Sequence, residues 1–348
     1  MRFSLLSLIA TCVILVSCET EIDISAPWEN IPVVYSILDP NDTIHYVRVN
    51  RVFLGNESAY EMATNPDSLI YDADLSVKIY VKNEQNHLIK TIVFNKLFLT
   101  KDSVNAQGQT VFAIDKHHVY ASTETLPYEN NKDKIYTYDL EVILPDGKVV
   151  TSLCHPLVAF HQTNPAPGQL YNLTKDKFLG ARFKLPKYSG GAKLKVYFHY
   201  YEWYSADRYD RKTISLPVAM QRMGYENEES MGVRGADIYN ALKEVLTPPT
   251  GGMRRYPGKV DFEYVIADEN FAEQIWFRSS GISSEVPPIT NISGGYGLFA
   301  CRSYVIRKGF KPSVSTTVKG FYEDPEMRNL YGFDSPTNYT INKIYELD

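Results

Sequence analysis

The sequence predicts a mainly β protein with two β-sandwich-like domains of the immunoglobulin or fibronectin type, the second carrying small helical insertions. Two observations lead to this prediction. Apolar and polar residues alternate over many short runs, as they do in half-buried strands. Turn-forming residues separate these runs at the short intervals that are typical of sandwiches. The chain has 348 residues, of which 44% are hydrophobic, and this content is sufficient to fill such cores.

Residues 1–17 have the features of a secretion signal. Arg2 supplies a positive charge, and the run from 3 to 16 is almost entirely apolar but too short for a stable membrane anchor. The run ends in Leu15-Val16-Ser17-Cys18, which resembles the bacterial lipobox, in which a small residue precedes the cysteine that carries the lipid. We therefore expect lipidation at Cys18, and an ordinary signal peptide with a chance cysteine is the alternative.

A short acidic tether is predicted at residues 18–25. Its Glu19, Glu21 and Asp23 resemble the surface-export signal of lipoproteins from the Bacteroidota, although solvated charges suit any flexible tether equally well. The sequence thus predicts a lipid-anchored protein of the outer membrane that is exposed at the cell surface.

The N-terminal β-sandwich domain is predicted over residues 26–158. Its strands are expected at 31–38, 43–53, 75–81, 88–95, 136–144 and 149–153. The turn Pro145-Asp146-Gly147-Lys148 joins the last two runs. An Asp-Gly pair between alternating runs is a strong hairpin signal, because these residues tolerate the positive φ angles that tight turns require.

The C-terminal domain is predicted over residues 159–348. It starts with a proline-rich linker at 161–168 and contains strands at 179–185, 193–204 and 260–266. A short helix is expected near 236–246, where Ile238, Leu242 and Val245 share one face. A second helix is expected near 269–277, after Asp268 as its N-cap residue.

An aromatic strand at 193–204 is the strongest candidate for a binding surface. Alternation places Tyr197, Tyr201 and Trp203 on one face, where rings with polar edges suit a ligand or a protein partner. The alternative is a strand that is buried on one face and half covered by loops on the other, since aromatic residues favour strands in any case.

Two further cysteines of the mature chain, Cys154 and Cys301, lie in apolar strand-like runs. A disulfide between them is permitted outside the cytoplasm. We favour two unpaired core cysteines, because free cysteine packs as a small hydrophobic residue.

The sequence excludes several classes of function. A net charge of −5 provides no basic surface for nucleic acid. We find no nucleophile elbow, zinc-peptidase motif, phosphate loop or dinucleotide fingerprint. We therefore predict a protein that is not an enzyme, with no catalytic residue, no cofactor and no metal site.

Several motifs occur in an order that is typical of one family. They are the lipobox, the acidic start at Cys18, the strand Val33-Val34-Tyr35-Ser36-Ile37-Leu38, the Asp146-Gly147 hairpin, and Asn291-Ile292-Ser293-Gly294-Gly295-Tyr296-Gly297. Together they resemble DUF4249, a Bacteroidota lipoprotein family of unknown function that is often associated with TonB-dependent outer-membrane transporters. The resemblance spans about Cys18 to Cys301 and implies no catalytic residues.

The leading functional hypothesis is ligand capture or support for a TonB-dependent transporter in nutrient uptake. The alternative is a structural or adhesive envelope protein without a small-molecule ligand, and an enzyme acting on polysaccharide is third. Ligand capture predicts an aromatic or polar cleft between the domains, adhesion predicts a flat shape without one, and an enzyme predicts convergent carboxylates within it.

Overall fold

The computed structural model describes residues 30–53, 69–100, 116–129, 131, 133–205, 207–225, 227–279 and 290–347. The predicted signal peptide and tether, with Cys18, lie outside the described residues.

The described residues are mainly β, which confirms the predicted fold class. The strands are β1 (Asn30–Leu38), β2 (His45–Phe53), β3 (Ser76–Lys82), β4 (Leu88–Thr100), β5 (Lys116–Ser122), β6 (Thr137–Ile143), β7 (Val149–Cys154), β8 (His161–Asn164), β9 (Phe178–Lys184), β10 (Ser189–Ser205), β11 (Arg208–Arg222), β12 (Glu228–Arg234), β13 (Arg254–Asp268) and β14 (Tyr296–Phe310). The α-helices are α1 (Gly235–Val245), α2 (Glu269–Ser279), α3 (Lys319–Glu323), α4 (Pro325–Asn329) and α5 (Asn338–Glu346), and a π-helical turn covers Val314–Val318. The immunoglobulin or fibronectin identity stays a prediction.

One mixed sheet runs through both predicted domains. Its strand order is β11-β10-β13-β14-β1-β2-β5-β4-β3-β6-β7, and a smaller sheet has the order β12-β9-β8. Strand β14 connects the two halves, because its first residues pair in parallel with β1 and its later residues pair antiparallel with β13. The division into two domains stays a prediction.

The far edge of the large sheet curls back towards β14. Thr151 of β7 and Ser293, just before β14, exchange two backbone hydrogen bonds of 3.1 and 2.8 Å. Strands β1 to β7 therefore wrap around their own apolar face, where Val34, Ile79 and Leu140 are fully or almost fully buried. These residues belong to one core cluster that continues into the C-terminal half.

The predicted hairpin is present. The Leu144 N–H donates to the Lys148 carbonyl at 2.9 Å, and strands β6 and β7 pair on either side. Gly147 takes a φ of +82°, whereas Asp146 does not have a positive φ. The turn therefore needs the conformational freedom of glycine at one position rather than at two.

The prediction of a linker at 161–168 is corrected by the structure, because strand β8 occupies the first half of this segment. Gln162 is buried, accepts a hydrogen bond from the Tyr264 hydroxyl at 2.7 Å and donates to the Pro165 carbonyl at 2.7 Å. The segment therefore starts with a packed strand, and its later part, with Pro167 and Gly168, is exposed.

Both predicted helices are present. Asp268 caps α2 as expected, since its Oδ1 accepts from the Phe271 N–H at 2.9 Å. Helix α1 buries Ile238 and Leu242, but Val245 is 55% exposed and does not belong to the buried face. Val245 is the last residue of the helix, and the next residue, Leu246, is buried in its place.

Candidate functional site

A cleft of about 630 Å³ lies between the N-terminal strands and segments of the C-terminal half. Strands β3, β6 and β7 form one wall. Asn270 of α2 and the segment at 291–293 form the other side. The cleft is thus built by residues that are far apart in sequence and that belong to both predicted domains.

Strand alternation positions the polar wall. Tyr80 and Lys82 of β3, Asp139 and Glu141 of β6, and Thr151 of β7 point away from the core, because their neighbours in each strand are buried in it. Cross-strand register then places Tyr80 opposite Asp139, and Glu141 opposite Thr151. Side chains directly opposite one another in an antiparallel pair lie close enough to interact.

Two short polar contacts organise this wall. Lys82 Nζ lies 2.6 Å from Asp139 Oδ2, and both side chains remain more than a quarter exposed. The Tyr80 hydroxyl donates to Glu141 Oε1 at 2.9 Å, and this bond raises the pKa of the Tyr80 hydroxyl. The wall therefore presents hydroxyl, ammonium and carboxylate groups together, with one more negative than positive charge.

The opposite side of the cleft is fixed to β14. The Ser152 hydroxyl donates to the Asn291 carbonyl at 2.7 Å. The Asn291 side chain donates to the Phe299 carbonyl at 2.6 Å and accepts from the Phe299 N–H at 3.0 Å. The Asn291 side chain is therefore occupied by hydrogen bonds to the backbone, which leaves Asn270 and Ser293 as the polar side chains on this side that can contact a ligand.

The predicted aromatic surface is corrected at two positions. Tyr201 is 1% exposed and Trp203 is 8% exposed, and they pack with Ile344 of α5 and with Tyr256. They are not an accessible surface, because the C-terminal helix, which the sequence patterns did not reveal, covers them. Tyr197 is half-buried and its hydroxyl donates to Glu263 Oε2 at 2.6 Å.

A different apolar surface is exposed instead. Tyr35, Ile37, Tyr46, Val93 and Leu97, here called the outer apolar strip, are between 39% and 44% exposed. They share one face of the sheet, since the outward residues of β1, β2, β5 and β4 lie side by side in the observed register. The register of β1 and β2 places Ile37 opposite Tyr46, and Val93 and Leu97 lie beyond β5 on the same face. Exposed apolar residues grouped on one sheet face are typical of interaction surfaces.

A buried polar cluster joins strands β10, β11 and β13. His199 Nδ1 lies 2.7 Å from Thr213 Oγ1, and His199 Nε2 lies 3.0 Å from Asp261 Oδ2. Arg211 also contacts Nε2 at 2.9 Å, and the Gly309 N–H donates to Asp261 Oδ1 at 2.7 Å. Desolvation by itself raises the pKa of Asp261, but the hydrogen bonds with His199 and the Gly309 N–H and the nearby Arg211 outweigh it and hold that pKa below its usual range. This arrangement is a closed network that ties four strands together, since Gly309 belongs to β14.

Within the described ranges, no group of three or more His, Cys, Asp or Glu side chains is arranged to hold a metal ion. The same ranges contain no helix with the length and apolar character needed to cross a bilayer.

Comparisons with known proteins give little further information. No family model and no curated protein matches the chain. The chain is similar to the C-terminal globular domain of an oligosaccharyltransferase from Pyrococcus abyssi, with 11% identity and a TM-score of 0.20 over 62% of this chain and 42% of that chain. It is also similar to a mutant of Salmonella alpha-2-macroglobulin, with 9% identity and a TM-score of 0.17 over 70% of this chain and 16% of that chain. The matches span less than half the length of either structure, and neither bears on the site.

Proposed function

We propose that the mature chain is a lipid-anchored protein of the outer membrane that captures a small hydroxyl-rich ligand and supports its uptake by a TonB-dependent transporter. The cleft carries this proposal. Its volume of about 630 Å³ falls within the range of about 300–1,000 Å³ that is typical of ligand pockets. It also lies between the two predicted domains, where ligand capture requires a cleft and adhesion does not.

The polar wall supports a neutral ligand with several hydroxyl groups, such as a saccharide. Lys82 donates hydrogen bonds, and Asp139 and Glu141 have acceptor positions beyond those used by Lys82 and Tyr80. A ligand hydroxyl group can accept a hydrogen bond from the lysine and donate one to a carboxylate. The surplus of negative charge on this wall disfavours an anionic ligand.

The carboxylates favour binding over catalysis. Asp139 and Glu141 project from the same face of one strand and are already bonded to Lys82 and Tyr80. Acid–base hydrolysis of a glycosidic bond needs two carboxyl groups on opposite sides of the scissile bond. We therefore retain the view that the protein is not an enzyme.

The outer apolar strip supports a protein partner. Its Tyr35 and Tyr46 are exposed aromatic residues on a sheet face, and aromatic residues dominate the energetics of protein interfaces. The family resemblance suggests a TonB-dependent transporter as this partner. An exposed strip of this kind would equally serve the alternative, an adhesive envelope protein without a small-molecule ligand.

Saturation-transfer NMR with a panel of neutral mono- and disaccharides tests the cleft. We expect at least one member to bind the mature protein, with an affinity at least tenfold weaker in Glu141→Gln. The matched control is Glu124→Gln, because Glu124 likewise has one polar side-chain partner, Lys90 at 3.1 Å, but does not line the cleft. No binding by any member, or equal binding by Glu141→Gln, would contradict the proposal.

Purification from native membranes in mild detergent tests the partner. We expect an outer-membrane barrel to co-purify with the wild type and to be lost from Tyr46→Ser. Tyr339→Ser is the control, since Tyr339 is 55% exposed on α5 and lies outside the strip. If cross-linking captures no barrel, the structural alternative replaces the transporter reading.

The anchor has its own test. Cys18→Ser should abolish acylation and release the protein from the membrane fraction. Unchanged mass and membrane association in this variant would contradict lipidation at Cys18.

A further inference from the structure

Two cysteines meet at the seam between β7 and β14. Cys154 is the last residue of β7 and Cys301 lies within β14. Their Sγ atoms are 3.2 Å apart, and the side chains are 3% and 0% exposed. The two residues are 147 positions apart in sequence, so this contact depends on the curl of the sheet.

The same seam holds the two sides of the cleft together. The Thr151–Ser293 backbone pair and the Ser152–Asn291 hydrogen bond link β7 to the segment before β14. Cys154 lies two residues after Ser152 in β7. A covalent bond at this position would therefore fix one side of the cleft relative to the other.

We propose that Cys154 and Cys301 form a disulfide in the mature protein and that this bond locks the seam beside the cleft. The proposal rests on the proposed location outside the cytoplasm, where disulfides form and persist. A disulfide has a sulfur–sulfur distance of about 2.05 Å, so the two Sγ atoms need to approach by only about 1.2 Å. The sequence alone favours two unpaired cysteines, because free cysteine packs as a small hydrophobic residue, and no local pattern shows that these two strands meet.

The reaction balances as a thiol–disulfide exchange. Each cysteine loses its thiol proton, a sulfur–sulfur bond forms between Cys154 and Cys301, and the disulfide bond of an oxidised protein dithiol breaks as it takes up two electrons. That oxidant accepts the electrons and protons and becomes a reduced dithiol. No other reactant is required.

Burial determines when the exchange takes place. Desolvation raises the pKa of both thiols, and the nearby Asp268 carboxylate acts in the same direction. Since the thiolate is the reactive form, the folded seam reacts slowly. The bond therefore forms during folding outside the cytoplasm, and a reductant acts on the native protein only slowly.

Thiol counting on the mature protein tests the proposal without any ligand. Membranes are dissolved in denaturant with N-ethylmaleimide, and the intact mass is measured with and without prior reduction. We expect no adduct before reduction and two after it, with one linked peptide pair containing Cys154 and Cys301. Two adducts before reduction would overturn the proposal. Cys154→Ser is the control and should carry one adduct in both samples.

Thermal unfolding tests whether the bond stabilises the fold. Reduction after transient unfolding should lower the melting temperature of the wild type by about 4 to 7 °C, as expected for a cross-link that closes a loop of this length. The Cys154→Ser/Cys301→Ser double variant should show no change. A wild-type midpoint that is insensitive to reduction would overturn the locking role. Because neither readout uses a ligand, the ligand proposal can fail while this one holds.

Discussion

Asp268 gives the most quantitative prediction, because it is a buried carboxyl group at a junction of three elements. It caps α2 through Phe271, and its Oδ2 accepts from the Cys301 N–H at 2.6 Å. It is 4% exposed, and desolvation raises its pKa from 3.8 to about 6 despite these hydrogen bonds. The folded protein therefore holds the proton more tightly than the unfolded chain.

The sign of the pH dependence follows from this shift. The contribution of Asp268 to stability is complete below pH 3.8 and is lost as the pH rises through about 6. At about 1.4 kcal/mol per pH unit, the loss between pH 4 and pH 7 is about 2 to 3 kcal/mol. Buried His45 and His118 and half-buried His155 act in the opposite direction, because desolvation lowers their pKa and stability falls as they become protonated at low pH.

The Asp268→Asn variant keeps all the histidines. The difference in stability between this variant and the wild type therefore reports the titration of Asp268 alone. Urea unfolding followed by tryptophan fluorescence at several pH values gives the free energy of unfolding of each. Between pH 4 and pH 7, the free energy of unfolding of the variant should rise by about 2 to 3 kcal/mol relative to that of the wild type. The cost of the lost hydrogen bond is the same at every pH and does not affect this change. A difference that does not change with pH would refute the reasoning.

Two further predictions concern the fold. Arg255 is 1% exposed and binds Glu202 Oε1 at 2.6 and 3.0 Å. Arg255→Met should therefore lower the free energy of unfolding in urea by about 3 to 5 kcal/mol, because it leaves a buried charge, and adding Glu202→Leu should restore most of this loss. A double variant that is no more stable than Arg255→Met would contradict this account. Gly297 has a φ of +122°, and a Cβ there would be 1.9 Å from the Val34 carbonyl oxygen. Gly297→Ala should therefore lower the free energy of unfolding by roughly 3 kcal/mol or more. In the control Gly224→Ala, the new Cβ meets no atom within 4 Å, and the free energy of unfolding should change by no more than about 0.5 kcal/mol. Equal stability of the two glycine variants would show that close packing of β1 on β14 is unimportant.

Local patterns in the sequence predicted most strands and one helix cap correctly. The alternation in β3 and β6 reappears as strict alternation of buried and half-buried residues, and Asp268 caps its helix. These features depend on neighbours within a few residues. The C-terminal helices α3 and α4 have five residues each and were not predicted, although Asp324 followed by Pro325 is a recognisable start of α4.

The candidate site could not be predicted from local sequence patterns. Tyr80 and Glu141 are 61 positions apart, and Cys154 and Cys301 are 147 apart, so their meeting depends on sheet order rather than on any local pattern. For the aromatic strand, the local pattern predicted a surface that the fold covers. Its alternation predicted a shared face for Tyr201 and Trp203, but only the fold shows that Ile344 covers this face.

The most direct test of ligand capture is a crystal structure of the mature protein grown with the disaccharide that binds tightest in the panel. The proposal predicts ligand density in the cleft, with its hydroxyl groups within hydrogen-bond distance of Glu141, Asp139 or Lys82 and with contact to Asn270. Density elsewhere on the molecule, with the cleft filled only by water, would contradict the assignment of the cleft as the ligand site.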